Sequence, residues 1–242
     1  DIGMQSDWEA SAEAWIESLG AGGDFSRAAV LDRPMMAAVR QSGAQRALDV
    51  GCGEGRFCRM MAEAVPEVVG IDPTARLLAE ARRLGGAVYH EGVGENLPYE
   101  DGAFDLVVSY LSLIDIADSR AAISEMARVS RPGGHILIGN LNSWVTAAQT
   151  EGLGIQRNAQ GHGTVTIVDY LKAYPVTVEW AGIRIKNWHR PLAQYMQEAL
   201  QAGLQLVDFQ EPLADAGWPR SASYNHTPYL WMQLWRKPQL DL

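Results

Sequence analysis

The chain has 242 residues, of which 47% are hydrophobic and 20% are charged, as is typical of globular proteins. Its formal net charge of -9 weighs against binding to nucleic acid, which depends on Lys and Arg side chains that neutralise phosphates. The sequence has neither an apolar run of the roughly 20 residues that span a bilayer nor the pattern of a signal peptide, so we expect a cytoplasmic protein without a membrane partner.

The cysteines and histidines are too few and too scattered to indicate a metal site. Cys52 and Cys58 are the two cysteines, and no histidine lies at metal-ligand spacing from them. We therefore expect no metal and no disulfide framework, and we interpret Cys52 as a small buried residue in a tight turn.

The elements begin with a helical segment. An apolar stripe that includes Trp8 and Trp15 predicts a helix over residues 6–19. A glycine-containing loop is then expected as far as Pro34, followed by a short helix over residues 35–42.

Short apolar runs then alternate with helical patterns as far as Asn140. This alternation predicts a parallel sheet with right-handed crossovers and with helices on both faces. The predicted strands are 46–50, 67–71, 87–90, 104–109 and 135–140, and the predicted helices are 55–65, 74–84 and 118–130.

The pattern changes after Asn140, which predicts an insertion over residues 141–189. Within it we predict strands over residues 164–171 and 176–188, the second run turning at Ala181-Gly182 as a hairpin. A helix over residues 192–202 and strands over 204–210 and 229–237 complete the chain, the two strands as an antiparallel pair at one edge of the sheet.

Three glycines follow the first predicted strand, at Gly51, Gly53 and Gly55. A glycine-rich turn between a strand and a helix lets the backbone approach a ligand closely. A dinucleotide site would need the pattern G-x-G-x-x-G, but Arg56 or Cys58 stands where its last glycine belongs. The spacing of the glycines therefore argues against an oxidoreductase that uses a nicotinamide or flavin nucleotide.

Two acids at strand tips favour a ligand with an amino-acid end and a ribose. Asp49 can accept a hydrogen bond from an ammonium group or fix the loop through backbone amides. Asp72 lies at the tip of the second strand, about 20 residues beyond the glycines, where an acid accepts hydrogen bonds from ribose hydroxyls. Such charge-assisted hydrogen bonds are about twice as strong as neutral ones.

Four segments, in order, resemble the motifs of the class I S-adenosylmethionine-dependent methyltransferases, in particular the small-molecule branch called type 11. The segments are LDVGCGEGRF, GIDPT, GENLPYEDGAFDLVVS and RVSRPGGHILI. The resemblance covers residues 44–140 and continues more loosely over residues 189–212. It implies S-adenosylmethionine as the cofactor and a small molecule as the methyl acceptor.

The fold class expected is α/β, with a Rossmann-like, mostly parallel seven-stranded sheet, helices on both faces and an antiparallel last strand. We expect one methyltransferase domain over residues 1–242. Its parts are an N-terminal helical lid (1–43), a cofactor-binding core (44–140), an inserted substrate cap (141–189) and the C-terminal part of the core (190–242).

The resemblance also implies a set of cofactor-binding residues. Arg27 would pair with the cofactor carboxylate and Trp15 would cover the same end, although the two could equally be a surface residue and a core residue. Val93 stands where the family usually has an acid for the adenine amino group, which leaves that contact to Gly94 or Glu95. The full set is Trp15, Arg27, Asp49, Gly51, Cys52, Gly53, Asp72, Pro73, Gly94, Glu95, Ser109, Tyr110 and Leu111.

Candidate acceptor residues lie in the later part of the chain. His189 is a candidate general base because an unperturbed histidine has a pKa of about 6.5. The alternative is that it fixes the lid or caps the next helix. The substrate pocket is predicted to include Asp115, Trp144, Trp188 and His226, where aromatic rings would line an apolar acceptor, bind a cation or simply pack the insertion onto the sheet.

Three further alternatives stay open at this point. The protein could bind S-adenosylmethionine or S-adenosylhomocysteine without catalysis, or it could methylate RNA or protein, which the net charge disfavours. The final strand pair, which contains YLWMQLW, could also support a homodimer.

Overall fold

The structure is a computed structural model, and it describes residues 2–20, 22–148 and 154–239. The helices are α1 (Ile2–Leu19), α2 (Asp32–Ser42), α3 (Arg56–Met61), α4 (Ala75–Leu84), α5 (Ser119–Val129), α6 (Ser143–Ala148), α7 (Leu192–Gln201) and α8 (Ser221–His226). A π-helical turn covers Ser26–Leu31, and a 3-10 turn covers Leu113–Asp115.

The strands fall into one large sheet and two hairpins. The large sheet contains β1 (Arg46–Val50), β2 (Glu67–Asp72), β3 (Val88–Glu91), β4 (Phe104–Tyr110), β5 (Ser130–Leu141), β10 (Gln205–Gln210) and β11 (Leu230–Arg236). The hairpins pair β6 (Ile155–Arg157) with β7 (Gly163–Val165), and β8 (Tyr174–Trp180) with β9 (Ile183–His189).

The large sheet has the order β10-β11-β5-β4-β1-β2-β3. All its pairs are parallel except those that β11 makes with β5 and β10. The prediction of a mostly parallel seven-stranded sheet with an antiparallel last strand is therefore confirmed. The strand order reverses between β1 and β4, so the carboxyl ends of these two strands flank the switch point at which open α/β sheets bind ligands.

Both faces of this sheet are buried, which explains why its strands read as continuous apolar runs. Every residue of β4 is buried, for example. On one face Met35 of α2 and Cys58 of α3 belong to the core, and on the other face Met126 of α5 and Tyr195 of α7 do. The helices thus cover both faces, as predicted.

The segment before the sheet is more helical than its sequence suggested. The loop predicted as far as Pro34 is wrong, because the π-helical turn at Ser26–Leu31 runs directly into α2. Burial of Val30 and Leu31 against the core stabilises this turn. Pro34 lacks a backbone N–H, and the Ala29 carbonyl oxygen, five residues before it, accepts instead from the Asp215 amide at 2.7 Å.

The inserted segment agrees with its prediction only in part. The hairpin of β8 and β9 is confirmed, and Ala181 and Gly182 form its turn with φ values of 45° and 80°. The strand predicted over residues 164–171 is wrong, because β7 ends at Val165. Asp169 has a φ of 49°, a left-handed conformation that is incompatible with an extended strand.

Helix α1 packs between the β8–β9 hairpin and helix α4. Its Ala12 packs in one apolar cluster with Leu77 of α4 and with Ile183 and Ile185 of the hairpin. The buried hydroxyl of Ser11 donates to the Arg184 carbonyl oxygen at 3.2 Å and accepts from the Arg184 amide at 3.1 Å. The hairpin therefore holds α1 in place from outside.

The antiparallel pair predicted at one edge of the sheet is confirmed as β10 and β11. The outermost strand is β10, which exposes Leu206, Val207 and Phe209, whereas Trp231 and Trp235 of β11 are fully buried. A homodimer through this edge stays a prediction. Among the described residues, no helix combines the length and apolarity needed to cross a bilayer.

Candidate functional site

A cleft of about 460 Å³ opens where the carboxyl ends of β1, β2 and β4 meet α1 and the π-helical turn. This volume is typical of sites for small molecules. Twelve of the thirteen predicted cofactor residues line the cleft: Trp15, Arg27, Asp49, Gly51, Cys52, Gly53, Asp72, Pro73, Gly94, Glu95, Tyr110 and Leu111. The thirteenth, Ser109, is fully buried below it, with its hydroxyl 2.7 Å from the Ser112 hydroxyl.

The glycine loop forms the floor of the cleft. Gly51 has a φ of 79° and donates its amide to the Ile71 carbonyl oxygen at 2.8 Å. A Cβ at Gly51 would lie 2.4 Å from the Cβ of Ser112, so only glycine fits there. Gly53 has a φ of 53°, whereas a Cβ on it would meet only Leu77, at 3.9 Å. The loop is therefore fixed from below, and its backbone is open towards the cleft.

Asp49 is buried at the end of β1. Its Oδ2 accepts a hydrogen bond from the Cys58 thiol at 3.6 Å, while its Oδ1 is buried without a hydrogen-bond partner among the described residues. Burial raises the pKa of Asp49 to about 7, and the hydrogen bond from Cys58 opposes that rise. A cationic donor that reached Oδ1 would complete this site.

Asp72 is buried at the end of β2 and is fixed by the backbone. Its Oδ2 accepts from the Gly53 amide at 2.9 Å, and its Oδ1 accepts from the Thr74 amide at 2.8 Å. Burial raises the pKa of Asp72, and these two hydrogen bonds oppose the rise. Each carboxylate oxygen keeps a second lone pair, which can accept a hydroxyl proton of a ligand.

Arg27 lies in the wall of the cleft between two aromatic rings. Its guanidinium carbon is 4.9 Å from the centre of the Trp15 ring and 5.6 Å from that of Tyr110, which are cation–π distances. One of its nitrogens pairs with Asp24 at 2.9 Å. The remaining donors of the guanidinium fork are the cationic part of this wall.

A second arginine, which the sequence analysis missed as a site residue, lines the same cleft. Arg56 pairs with Asp32 through both terminal nitrogens, one of them at 3.1 Å. The Tyr110 hydroxyl donates to the same carboxylate at 2.8 Å. Burial and the charge of Asp32 raise the pKa of Tyr110 well above its usual range. Arg56 therefore anchors the π-helical turn and α2 to the glycine loop.

The backbone after β4 has an unusual conformation. Leu111 has a φ of 51°, a left-handed value that costs a branched side chain roughly 1–2 kcal/mol. Its amide donates to the Gly139 carbonyl oxygen at 2.8 Å, and the Ser112 hydroxyl donates to that of Val50 at 2.6 Å. These hydrogen bonds hold the strained residue at the edge of the cleft.

The end of the cleft beyond β3 is lined by Gly92, Val93, Gly94 and Glu95. Val93 is 42% exposed and offers no polar side-chain atom. A Cβ at Gly94 would lie 3.0 Å from the Ile116 side chain, so a larger residue would crowd this wall. The backbone and the Glu95 side chain are therefore the groups that could make polar contacts at this end of the cleft, as the sequence analysis proposed for Gly94 or Glu95.

Asp115 is the one predicted acceptor residue that the structure brings to the cleft. Its Oδ1 is buried without a hydrogen-bond partner among the described residues. Burial, followed by the negative charge of Asp72, raises the pKa of Asp115 well above its usual range, and the charge of Arg27 and a hydrogen bond with the Trp8 side chain oppose the rise. The Trp8 ring also packs edge-on against Trp15, with 5.5 Å between centroids. The apolar stripe of α1 signalled Trp8 as buried, but not that it faces a ligand site.

Arg190 holds the turn that carries Asp115. Its guanidinium is buried, and it donates to the carbonyl oxygens of Leu113 at 3.0 Å, of Ala117 at 3.0 Å and of Ile116. Three carbonyl groups of one turn are thus fixed by a single side chain. The sequence analysis did not single out Arg190, although it lies beside His189.

The other predicted acceptor residues lie outside the cleft. His189 has no exposed surface, and its Nδ1 and Nε2 lie 2.7 Å from Thr146 Oγ1 and 2.8 Å from the Tyr170 carbonyl oxygen. Burial lowers its pKa. Because both ring nitrogens are engaged within the cap, this geometry agrees with the alternative that His189 fixes the cap and does not place a general base at the cleft.

The three remaining candidates have structural surroundings. Trp144 packs against the core, and Trp188 lies under the Arg190 guanidinium at 5.5 Å. His226 is exposed, with its ring 4.9 Å from that of His162. None of the three lines the cleft that the structure describes.

Comparison with known proteins supports the resemblance seen in the sequence. Residues 48–138 match the family model of a methyltransferase domain. A segment of 107 residues is 37% identical to malonyl-acyl-carrier-protein O-methyltransferase of Erwinia billingiae and covers 44% of this chain and 42% of that protein. A segment of 100 residues is 32% identical to demethylmenaquinone methyltransferase of Beutenbergia cavernae, with 41% and 42% covered. The chain thus spans less than half the length of either relative.

Solved structures match over nearly the whole chain at low identity. An S-adenosylmethionine-dependent methyltransferase from Mesorhizobium loti superposes with a TM-score of 0.76 and 23% identity, and the match covers 90% of this chain and 100% of that one. The 4+2 cyclase SpnF superposes with a TM-score of 0.62 and 20% identity over 97% and 95% of the two chains. These matches establish the fold and show that it also carries another reaction. The family match decides the assignment for this part of the chain: residues 48–138 form a methyltransferase domain.

Proposed function

We propose that the protein is an enzyme that transfers a methyl group from S-adenosylmethionine to a small-molecule acceptor. One observation carries this proposal: Asp49 and Asp72 lie at the ends of the neighbouring strands β1 and β2 and line one cleft, together with the open glycine loop. An unpartnered carboxylate oxygen suits an ammonium group, and a backbone-fixed carboxylate suits a ribose.

The residues of the cleft fit the parts of the cofactor. Asp49 would accept from its ammonium group, Arg27 would donate to its carboxylate, and Asp72 would accept from its ribose hydroxyls. Gly94 and Glu95 would border the adenine. When bound, S-adenosylmethionine supplies an electrophilic methyl group on a positively charged sulfur.

The chain itself contributes position and the exclusion of water. Trp8 and Trp15 of α1 cover the cleft, and Leu111 and Ile116 give its acceptor side an apolar wall. A cleft of this kind holds an acceptor in one orientation and keeps water from competing with it. His189 has no part in this step in our proposal, since its ring is buried in the cap.

The cleft does not favour an anionic acceptor such as the malonyl group in the name of the Erwinia billingiae relative. Its two arginines, Arg27 and Arg56, are already paired with Asp24 and Asp32. With Arg27 donating to the cofactor carboxylate and Arg56 held by Asp32, a second carboxylate on the acceptor would find no further cation among the described residues of the cleft.

The direct test is a calorimetric titration of the protein with S-adenosylhomocysteine and, separately, with NAD. We expect micromolar binding of the first and none of the second. Asp72→Asn should weaken the binding of S-adenosylhomocysteine at least about tenfold, because Asn has no charge and keeps only one of the two acceptor oxygens. Asp101→Asn is a matched control. This acid is exposed, does not line the described cleft and pairs with Arg128.

If wild-type protein failed to bind S-adenosylhomocysteine, the proposed function would be refuted. Binding without methylation of any member of an acceptor library would favour the non-catalytic binding protein instead.

A further inference from the structure

The charges that line the cleft are unequal. Six carboxylates face it, and the two guanidinium groups, of Arg27 and Arg56, are each paired with a carboxylate outside it. The six are Asp49, Glu54, Asp72, Glu95, Asp115 and Asp118. The cleft is thus suited to ligands that carry positive charge.

Most of these carboxylates already have partners. Glu54 forms an ion pair with Arg59 at 2.5 Å, and Asp72 accepts hydrogen bonds from two backbone amides. Asp118 caps α5 by accepting from the Ala121 amide at 2.9 Å. Buried carboxylate oxygens without a partner are found, within the described chain, at Asp49 Oδ1 and Asp115 Oδ1. Only one of these two belongs to the proposed ammonium site of the cofactor.

Asp115 occupies a different wall from Asp49. It ends the 3-10 turn after β4, next to the apolar residues Ile116 and Ala117, and Trp8 of α1 contacts it. A carboxylate beside an indole ring and an apolar wall can recognise an ammonium group on an apolar body.

The position of this carboxylate is fixed from behind. Arg190 is 2% exposed and binds three carbonyl groups of the turn that carries Asp115. A buried carboxylate oxygen without a hydrogen-bond partner, as at Asp115 Oδ1, destabilises a fold unless a ligand completes it. A fixed turn that presents such a group is therefore better explained by recognition than by folding.

We propose that Asp115 binds the ammonium group of the methyl acceptor, with Trp8 against the same cation, so that the acceptor is an amine on an apolar body. This inference rests on the proposed function. Binding of the ammonium group ionises Asp115, whose own proton passes to solvent. The carboxylate then gives the nitrogen a proton acceptor: one proton passes from the ammonium nitrogen to Asp115 Oδ1, which leaves the nitrogen lone pair free.

The test uses protein saturated with S-adenosylhomocysteine and three matched probes: 2-phenylethylamine, 2-phenylethanol and 3-phenylpropionate, repeated on indolyl and cyclohexyl scaffolds. Calorimetry should show that the amine of at least one scaffold binds about tenfold or more tightly than its alcohol and its acid, because only the amine makes a charge-assisted hydrogen bond to Asp115.

Asp115→Asn should remove this preference and leave the affinity for S-adenosylhomocysteine within about twofold. Asp118→Asn removes the same charge at the rim and still caps α5, since Asn is also a good N-cap, so it should keep the preference. Trp8→Leu is a second variant that leaves the turn untouched, and it should weaken the amine about threefold without weakening the alcohol. Thermal unfolding of each variant confirms that it folds.

Two results would overturn the inference while leaving the proposed function intact. One is wild-type protein that binds S-adenosylhomocysteine but prefers no amine on any scaffold. The other is Asp115→Asn protein that loses affinity for S-adenosylhomocysteine and keeps the amine preference, which would assign Asp115 to the cofactor.

Discussion

At the scale of single residues, Asp49 is the group whose protonation should respond most directly to the cofactor. Burial raises its pKa to about 7, so a substantial fraction of the free protein carries a proton there near neutral pH. An ammonium group at Oδ1 favours the charged carboxylate and lowers that pKa. Binding of S-adenosylhomocysteine should therefore release a proton and become tighter as the pH rises from 6 to 8.

This release is measurable by calorimetry at pH 6.5 in two buffers that differ in ionisation enthalpy. The difference between the two observed heats, divided by the difference in ionisation enthalpy, gives the number of protons exchanged, which we expect to lie between about 0.5 and 0.8 for a pKa of about 7. Asp49→Asn has no titrating group at this position, so any binding that remains should exchange close to none. Proton uptake by wild-type protein would contradict the assignment of Asp49 to the ammonium group.

The same residues show how far the sequence predicts a site. Asp49 and Asp72 were predictable because each ends a strand, and strand ends meet at one edge of a parallel sheet. Arg56 and Trp8 were not predictable as site residues, since their place in the cleft depends on how the π-helical turn and α1 pack on the core. The predicted acceptor residues Trp144, Trp188 and His189 of the insertion lie outside the described cleft, because composition gives no direction to a side chain.

At the scale of elements, agreement follows the regularity of the pattern. The segment 46–140 alternates strands and helices at short spacing, and its strands pair as predicted. The π-helical turn and the missing strand after Val165 depart from prediction because both depend on tertiary contacts. The π-helical turn is stabilised by burial rather than by a regular repeat, and the segment after β7 finds no partner strand among the described residues.

The elements also make a prediction about ligand release. Helix α1 covers the cleft and is tied to β9 by the two hydrogen bonds of the buried Ser11 hydroxyl. Ser11→Ala removes both, at a cost of about 1–2 kcal/mol to this contact. If α1 must move before the ligand leaves, S-adenosylhomocysteine should dissociate roughly tenfold faster, which stopped-flow tryptophan fluorescence would show.

A matched control lies on the same helix. Ser18 is exposed, and its hydroxyl bonds only to the Trp15 carbonyl oxygen within α1, at 3.2 Å. Ser18→Ala should therefore release the ligand at the wild-type rate. Equal rates for the two variants would mean that the cleft opens without separating α1 from the β8–β9 hairpin.

At the scale of the whole molecule, the acids of the cleft make the stability of the folded protein depend on pH. Burial raises the pKa of Asp49, Asp72 and Asp115, so the folded state holds protons that the unfolded chain has already released. The free energy of unfolding must then fall as the pH rises through the interval between the unfolded and folded pKa values. For Asp49 that interval runs from 3.8 to about 7.

The histidines act in the opposite sense, but in a lower range. Burial lowers the pKa of His135 and His189, so the stability that they contribute is lost as the pH falls through their unfolded value of 6.5, and it still rises somewhat above that pH. Between pH 6.5 and 8 the three acids of the cleft oppose these two histidines, so we expect the acids to set the sign of the pH dependence.

Over this range we expect the ligand-free protein to lose stability as the pH rises. Completing the ionisation of a carboxyl with a pKa of about 7 lowers the free energy of unfolding by about 1 kcal/mol between pH 6.5 and 8. For a chain of this size that corresponds to a fall of about 3 °C in the unfolding temperature, measurable by scanning calorimetry. Asp49→Asn should reduce the fall, and saturating S-adenosylhomocysteine should do the same, because an ammonium group compensates the charge that the empty cleft leaves unpaired. A wild-type unfolding temperature that rises over this range would show that the carboxyl of Asp49 is already ionised in the folded protein, and that the cleft is charged before any ligand enters it.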